Sequence, residues 1–352
     1  LGINLSDALP PDHPSTLATR SNLASVLHGQ GRLEEAETEY RAVLDASARV
    51  LGPDHPDTLI VRSNLASVLH ARGRLEEAET EQRAVLDASA RVLGPDHPDT
   101  LIVRSNLASV LHARGRLEEA ETEQRAVLEA RIRVLGPDHP DTLIVRSNLA
   151  GVLHARERLK EAVAEARTAL EASIRVLGPD HPSTLVTRSN LVSFLHARGR
   201  LKEAETEART ALDASSRVLG PDHPDTLIVR SNLAGVLHGQ GRFEEAEAEQ
   251  RAVLETSSRV LGPDHPSTLV TRDNLASFLQ ARGRLEEAET EQRAVLEARI
   301  RVLGPDHPDT LRIRSNLARI LYARGRLEEA KTEQRAVREA SARASGLGRP
   351  KP

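Results

Sequence analysis

Cysteine, methionine and tryptophan are absent from the 352 residues, and two tyrosines and three phenylalanines are the whole aromatic complement. Without cysteine there is no disulfide, no thiolate metal ligand and no cysteine nucleophile. A small secreted domain stapled by bridges is therefore excluded, and a reduced, cytoplasmic setting is expected. So little aromatic mass also argues against one large interlocked core. There is no excess of positive charge: 48 Lys and Arg against 52 Asp and Glu leave −4, which is not the balance of a general nucleic-acid binder. No apolar run approaches the ~18 residues of a membrane span and no secretory leader opens the chain, so neither a nucleic-acid nor a membrane partner is expected.

What the chain does contain is one pattern written eight times. Pro-Asp-His-Pro begins at Pro11, Pro53, Pro95, Pro137, Pro179, Pro221, Pro263 and Pro305, each 42 residues after the last. The units are 11–52, 53–94, 95–136, 137–178, 179–220, 221–262, 263–304 and 305–345, with a short lead-in, 1–10, and a Gly/Pro/basic tail, 346–352, expected to be disordered. Units two and three differ only at Asp87/Glu129, Ser89/Arg131 and Ala90/Ile132, so the missing residue types are one event copied. A period of this length is the signature of a solenoid, in which no unit buries its apolar face alone.

Each unit reads as two helices. In the second, Asp54 is expected to cap helix A, whose first turn holds His55, Pro56 and Asp57 and which runs to about Arg72. Val61, Leu65, Val68 and Leu69 make its apolar face, and Gly73 supplies a left-handed exit. Helix B starts near Leu75, carries Glu76 and Glu77 in its first turn, and turns Leu75, Ala78, Gln82, Val85, Leu86 and Ser89 inward. Arg91 and Gly94-Pro95 end it. The expected fold is an all-α solenoid of eight helix-turn-helix units without strands.

The residues Asn64-Leu65-Ala66, Leu69, Gly73-Arg74, Glu76-Glu77-Ala78-Glu79, Val85-Leu86 and Leu93-Gly94-Pro95-Asp96-His97-Pro98 recur through about residues 11–345. On them the unit resembles the tetratricopeptide repeat, in the 42-residue form of kinesin light chains and bacterial signalling proteins. The resemblance implies a right-handed superhelical array that binds a protein partner in its concave groove. Two departures stand out. The helix B position that is commonly aromatic in the family is Tyr40 in the first unit but Gln82, Gln124, Gln250, Gln292, Gln334, Ala166 or Ala208 elsewhere, which predicts thinner packing there. Ser-Asn-Leu-Ala, or Asp273-Asn274-Leu275-Ala276, replaces the Asn-Asn-Leu-Ala common in kinesin light chains.

Advancing about 100° per residue from Leu65 puts Ser63, Ser67 and His70 opposite the packed face of helix A, with Ile60 and Ala71 at the border and Asn64 to one side. In arrays of the resembled family this side lines the concave groove. The candidate peptide-binding residues are accordingly Ser63, Ser67, Ser105, Ser109, Ser147, Ser189 and Ser231; His70, His112, His154, His196 and His238; and Asn64, Asn106, Asn148, Asn190, Asn232 and Asn274. Each has a plain alternative: the Asn amides could bridge neighbouring helices, and the Ser and His side chains could form an ordinary wetted face. Protonation of the helix A histidines below about pH 6.5 would make the groove more positive and favour an acidic partner. Arg20, Arg62, Arg104, Arg146, Arg188, Arg230, Arg272 and Arg314 fall near the packed side, where an ion pair with helix B or a neighbouring loop acid is expected. The Glu run Glu76, Glu77, Glu79 and Glu81 reads as a solvated, acidic outer face.

Catalytic and metal chemistry is not expected. Equivalent histidines of stacked units stand about 10 Å apart, whereas zinc holds each nitrogen at about 2.1 Å, so one metal cannot join a column. A Ser-His-Asp site needs one exceptional constellation, and here the same residues recur in nearly every unit. Gly29-Gln30-Gly31 follows no strand and lacks the Lys-Ser/Thr of a phosphate loop. No cofactor, no metal and no catalytic residue are assigned. The tail carries a single Gly-Arg-Pro, a weak match to minor-groove peptides. The reading is a non-enzymatic interaction scaffold binding an extended or helical segment. The resemblance, with the short lead-in and the polar last helix, implies the C-terminal sensor part of a larger signalling protein. The alternative is a structural module that self-associates end to end.

Overall fold

The computed structural model describes residues 9–344, which fall in two compact units divided after Arg158. The lead-in and the tail lie almost wholly outside the described residues. In the first unit α1 (Pro14–Gly29), α2 (Leu33–Val50), α3 (Pro56–Ala71), α4 (Leu75–Val92), α5 (Pro98–Ala113), α6 (Leu117–Leu135) and α7 (Pro140–Ala155) follow one another, each packed on the next. The second holds α8 (Leu159–Leu177), α9 (Pro182–Ala197), α10 (Leu201–Val218), α11 (Pro224–Gly239), α12 (Phe243–Val260), α13 (Pro266–Ala281), α14 (Leu285–Leu303), α15 (Pro308–Ala323) and α16 (Leu327–Ala344), packed in the same manner. Among the described residues there is no strand. The fold is an α-solenoid of eight helix-turn-helix repeats, odd-numbered helices being the A helices and even-numbered the B helices.

The cap of helix A differs from the expectation. His55, not Asp54, is the N-cap: the Asp57 amide donates to His55 Nδ1 at 3.2 Å, and Pro56 occupies the first helical position. Imidazole satisfies the orphan amide because the preceding Asp is engaged elsewhere, Asp54 taking Arg91 at the far end of helix B at 2.7 Å. Asp96–Arg133, Asp180–Arg217 and Asp222–Arg259 repeat that pair at 2.6, 2.7 and 2.8 Å. At the other end Gly73 has φ +74°, as the left-handed exit requires. The fourth unit puts Glu157 there at φ 61°, a conformation that costs a side chain.

Ala78, Gln82, Val85 and Ser89 of helix B are buried as the spacing predicts. Gln82 is fully buried, and it does more than leave thin packing: its amide donates to the Ser63 carbonyl oxygen at 3.3 Å, tying helix B to helix A. Tyr40 fills the corresponding space in the first unit with an equally buried ring.

The acidic run of helix B is not wholly solvated. Glu79 is 5% exposed and is held by Arg83 at 2.7 Å, Arg116 at 2.5 Å and Arg114. Arg83 lies one turn on, while Arg114 and Arg116 come from the end of the next helix A and the turn after it, so one carboxylate staples two units. Glu37, Glu121, Glu247 and Glu289 are clasped in the same way. Burial alone would raise the Glu79 carboxyl, but hydrogen bonds from Arg83, Arg116 and Arg114 outweigh it and hold the group below its ordinary range. Helical periodicity places Glu79 beside Glu76 on the wheel and cannot show that a following unit lays its arginines over it. The other Arg column behaves as expected: Arg62 meets Glu81 of helix B at 2.5 Å, Arg20 meets Glu39 at 2.6 Å and Arg188 meets Glu207 at 2.6 Å.

Candidate functional site

An A helix is packed on most of its circumference. In α3, Thr58, Leu59, Val61, Ser63, Leu65, Ala66, Val68 and Leu69 are all buried. What stays open is a narrow stripe, and its most regular feature is aliphatic: Ile60, Ile102, Ile144, Val186, Ile228 and Val270 are each 46–54% exposed. The position is Ala18 in the first unit and Arg312 in the last. Residue spacing placed this column at the edge of the groove; the structure makes it the wall.

Three clefts between successive A helices share one design. The cleft between α11 and α13, about 340 Å³, is walled by Ile228 and Val270 and floored by Ser231, Asn232, Asn274 and the end of α12 at Ser257 and Leu261. That between α9 and α11, about 220 Å³, shares Ile228 and adds Val186, Ser189, Asn190 and Ser215, with Asp225 on its rim. In the first unit a cleft of about 190 Å³ between α1 and α3 uses Ser21, Asn22, Ser47 and Ile60, with Asp57 on the rim. Each therefore offers an aliphatic entrance over a floor of hydroxyls and amides, at the N-terminal end of helix A.

The sequence-derived candidates separate into three groups. Ser63 and Ser189 are buried, 5% and 8% exposed, rather than presented on an open face, with Asn106 and Asn232 of the following unit reaching over them. Ser63 packs on Gln82, and Ser189 and Ser231 form cleft floors. The Asn column crosses between units: Asn106 donates to Ser63 Oγ at 3.5 Å, Asn232 to Ser189 Oγ at 2.9 Å and Asn274 to Ser231 Oγ at 3.5 Å. Asn190 lines a cleft, Asn148 is exposed, and Asn64, Ser105 and Ser147 are half-buried. Ser67 and Ser109 turn back to donate to the carbonyls of Ser63 and Ser105 at 3.1 and 3.2 Å.

The histidines form the third group and sit at the other end of helix A, away from the clefts. His70 and His154 are half-buried and His112 is exposed. His238 stacks on Phe278 at 4.4 Å and meets the edge of Phe243 at 5.1 Å. Burial pushes His28, His196 and His238 below the ordinary histidine value, His238 with a further push from His196. Positive charge consequently reaches these three positions only under more acidic conditions than residue type suggests.

One junction departs from the pattern with a matched pair. Asp273 stands where other units have Ser, and Arg312 where they have Ile, Val or, in the first, Ala, and the two meet at 2.8 Å. Asn316 and Gln292 also donate to Asp273 Oδ1, at 3.3 and 3.1 Å.

The profile of the tetratricopeptide repeat family matches residues 15–80, 57–122, 101–172, 143–193, 183–248, 225–277 and 270–341. The chain is a tetratricopeptide-repeat protein. A kinesin light chain candidate of Podosopora anserina, built of nearly identical TPR-like repeats, is similar at 26% identity and TM-score 0.52, over 58% of this chain and 97% of that one. The apo form of RapI matches in fold at 13% identity and TM-score 0.58, over 82% and 99%. A Rap protein complexed with competence and sporulation factor does so at 10% identity and TM-score 0.53, over 94% and 99%. No curated protein matches the sequence.

Among the described residues of this tetratricopeptide-repeat protein no helix is long and apolar enough to cross a membrane, and no group of three or more His, Asp or Glu is placed to hold a metal ion. The aliphatic wall and the Ser at the end of helix B are the site features missed in the sequence. The sole signal available for the wall was that Ile60 breaks the polar character of its face in unit after unit.

Proposed function

We propose that the protein is a non-enzymatic scaffold that captures an extended segment of a protein partner along the open stripe of its A helices. The observation that carries this reading is the recurrence of the cleft: aliphatic wall, hydroxyl and amide floor, the same residue positions in α9/α11 and α11/α13. Such a surface suits a chain that alternates apolar side chains with backbone groups. Candidate contacts from the sequence that line it are Ser189, Ser231, Asn190, Asn232 and Asn274. Asn106, Asn232 and Asn274 also hold neighbouring helices, so replacing them tests fold and binding together. Ile228 and Val270 are the cleaner handles, being half exposed and free of hydrogen-bonding duties. In a display selection of random extended peptides on the intact protein, enriched peptides should lose binding to a variant carrying Ile228→Lys and Val270→Lys at unchanged helicity. Undiminished binding would move the site off the A helices. A cytoplasmic sensor role, in which capture is relayed to a neighbouring regulatory enzyme, is the family-level extension of this reading.

A second reading rests on α1. Leu23 and Val26 are 52% and 55% exposed, whereas their equivalents Leu65 and Val68 are buried. That apolar face supports self-association. The exposed Lys331, Arg335 and Arg338 on α16 make a poor complement for head-to-tail growth, which favours a pair over a filament. Sedimentation mass rising with concentration in the native chain, and constant in Leu23→Glu, would support it.

A further inference from the structure

Helix B ends in a small residue beside every cleft. Ser47, Ser215 and Ser257, at one position of the repeat, contribute to the α1/α3, α9/α11 and α11/α13 clefts. Two units carry Arg there instead. Arg131 and Arg299 are only 6% and 7% exposed, and each reaches across to the first turn of the next A helix, to Asp141 at 3.1 Å and Asp309 at 3.5 Å. The Nε of each is buried without a partner. A guanidinium thus occupies the place that a serine leaves open, and it neutralises the rim carboxylate.

Two of the open clefts carry an acid on the rim, Asp57 at α1/α3 and Asp225 at α9/α11, and α11/α13 has Ser267 in that place. Asp225 on the α9/α11 rim is half exposed and lies 3.8 Å from the His223 ring. The rim acid of the α9/α11 cleft thus stands without an arginine, whereas Asp141 and Asp309 are each paired with one. The α9/α11 and α11/α13 clefts are one repeat apart, about 10 Å on the scale of helix packing, and a chain extended in the polyproline II form advances about 3.1 Å per residue and returns to the same face every third residue, so three residues span one repeat.

We propose that the second unit reads an extended, basic-aliphatic segment of another protein: an aliphatic side chain in the α9/α11 cleft with a lysine or arginine beside it for Asp225, a second aliphatic side chain three residues along in the α11/α13 cleft, and Arg299 as the stop. This rests on the groove reading above and specifies its ligand. The residue at the end of helix B is then a specificity switch, serine admitting a side chain and arginine refusing it.

The test uses the full chain and fluorescent nine-residue peptides on a Ser/Thr/Gln background, each with one Lys and two Leu spaced by two, three or four residues, read by anisotropy. Three-residue spacing should bind at least about tenfold tighter than the others, the difference expected when one buried aliphatic side chain is withdrawn. Lys→Glu in the peptide should weaken binding severalfold. Ser215→Arg should cost about tenfold with the best peptide, and Asp225 stands where Asp141 and Asp309 receive Arg131 and Arg299, so the fold accepts arginine at this position. Asp213→Arg, on the exposed side of the same helix, controls for an added arginine and should bind normally. Arg299→Ser should add about tenfold for a peptide with a third Leu three residues further on. Binding without a spacing preference, or indifference to Ser215→Arg, overturns the register while leaving the groove in place. Failure of every peptide to bind overturns the groove reading as well.

Discussion

Replacing Glu79 by glutamine should uncouple two repeats. The carboxylate receives Arg83 from its own helix and Arg114 and Arg116 from the following unit. Removing one member of a buried ion pair costs about 3–5 kcal/mol where the remaining charge is trapped. Here the arginine side chains keep 43%, 26% and 37% of their exposure and can rehydrate, which reduces the loss to about 2–3 kcal/mol. Glu76 is the internal control. It pairs with the same Arg114 at 3.1 Å but is 77% exposed, so Glu76→Gln should leave stability unchanged within error. Urea unfolding followed by circular dichroism at neutral pH compares the three proteins. The Glu79→Gln protein should unfold at lower urea, and its transition should broaden, because a solenoid owes its cooperativity to the interfaces between neighbours. Equal midpoints for Glu79→Gln and Glu76→Gln would refute the idea that the buried carboxylate staples the units.

Four further outcomes follow. Glu157→Gly should stabilise the protein by about 1 kcal/mol by relieving φ 61°, and a lowered urea midpoint would contradict this. His55→Ala should cost about 0.5–2 kcal/mol through loss of the N-cap while His55→Asn retains it; equal loss in both would deny the capping role. Because His28, His196 and His238 have folded values below the ordinary one, their protonation opposes folding. Stability should be full above about pH 6.5 and fall as pH drops below it, before the carboxylates titrate, and thermal melts at pH 7.5 and 5.5 with His238→Gln as the comparison check the sign. Asp273→Ser and Arg312→Ile should be more damaging singly than the sum predicts for the pair, and strict additivity in a double-mutant cycle would show that the 2.8 Å contact carries no coupling.

The fold was legible because its signals are local and repeated. The 42-residue period, the Pro at the start of each A helix and the Gly at its exit are properties of single segments, and Arg62 could be matched to helix B from its angle on one helical wheel. The misplacements share one cause. Single-helix spacing gives Asp54 a cap that His55 makes, Glu79 a solvated face and Ser63 an open one, in each case because another helix intervenes: Arg91 from helix B of the same unit, Arg114 and Asn106 from the following unit. A wheel drawn for one helix has no neighbour. The cleft switch was hidden for the same reason: Ser89 and Arg131 appear in the sequence as one of three differences between two units, and only the packing shows that this position faces the next A helix.

The absence of cysteine makes the central claim directly measurable, since a single introduced thiol is unique. Ile228→Cys places it on the wall shared by two clefts, and Glu255→Cys places it on the exposed side of α12. Each variant, carrying a maleimide photo-crosslinker, is illuminated with the Lys-containing two-Leu peptide of three-residue spacing. Covalent capture from Ile228→Cys and none from Glu255→Cys is the predicted result. Capture from Glu255→Cys alone would place binding on the B helices and contradict the account.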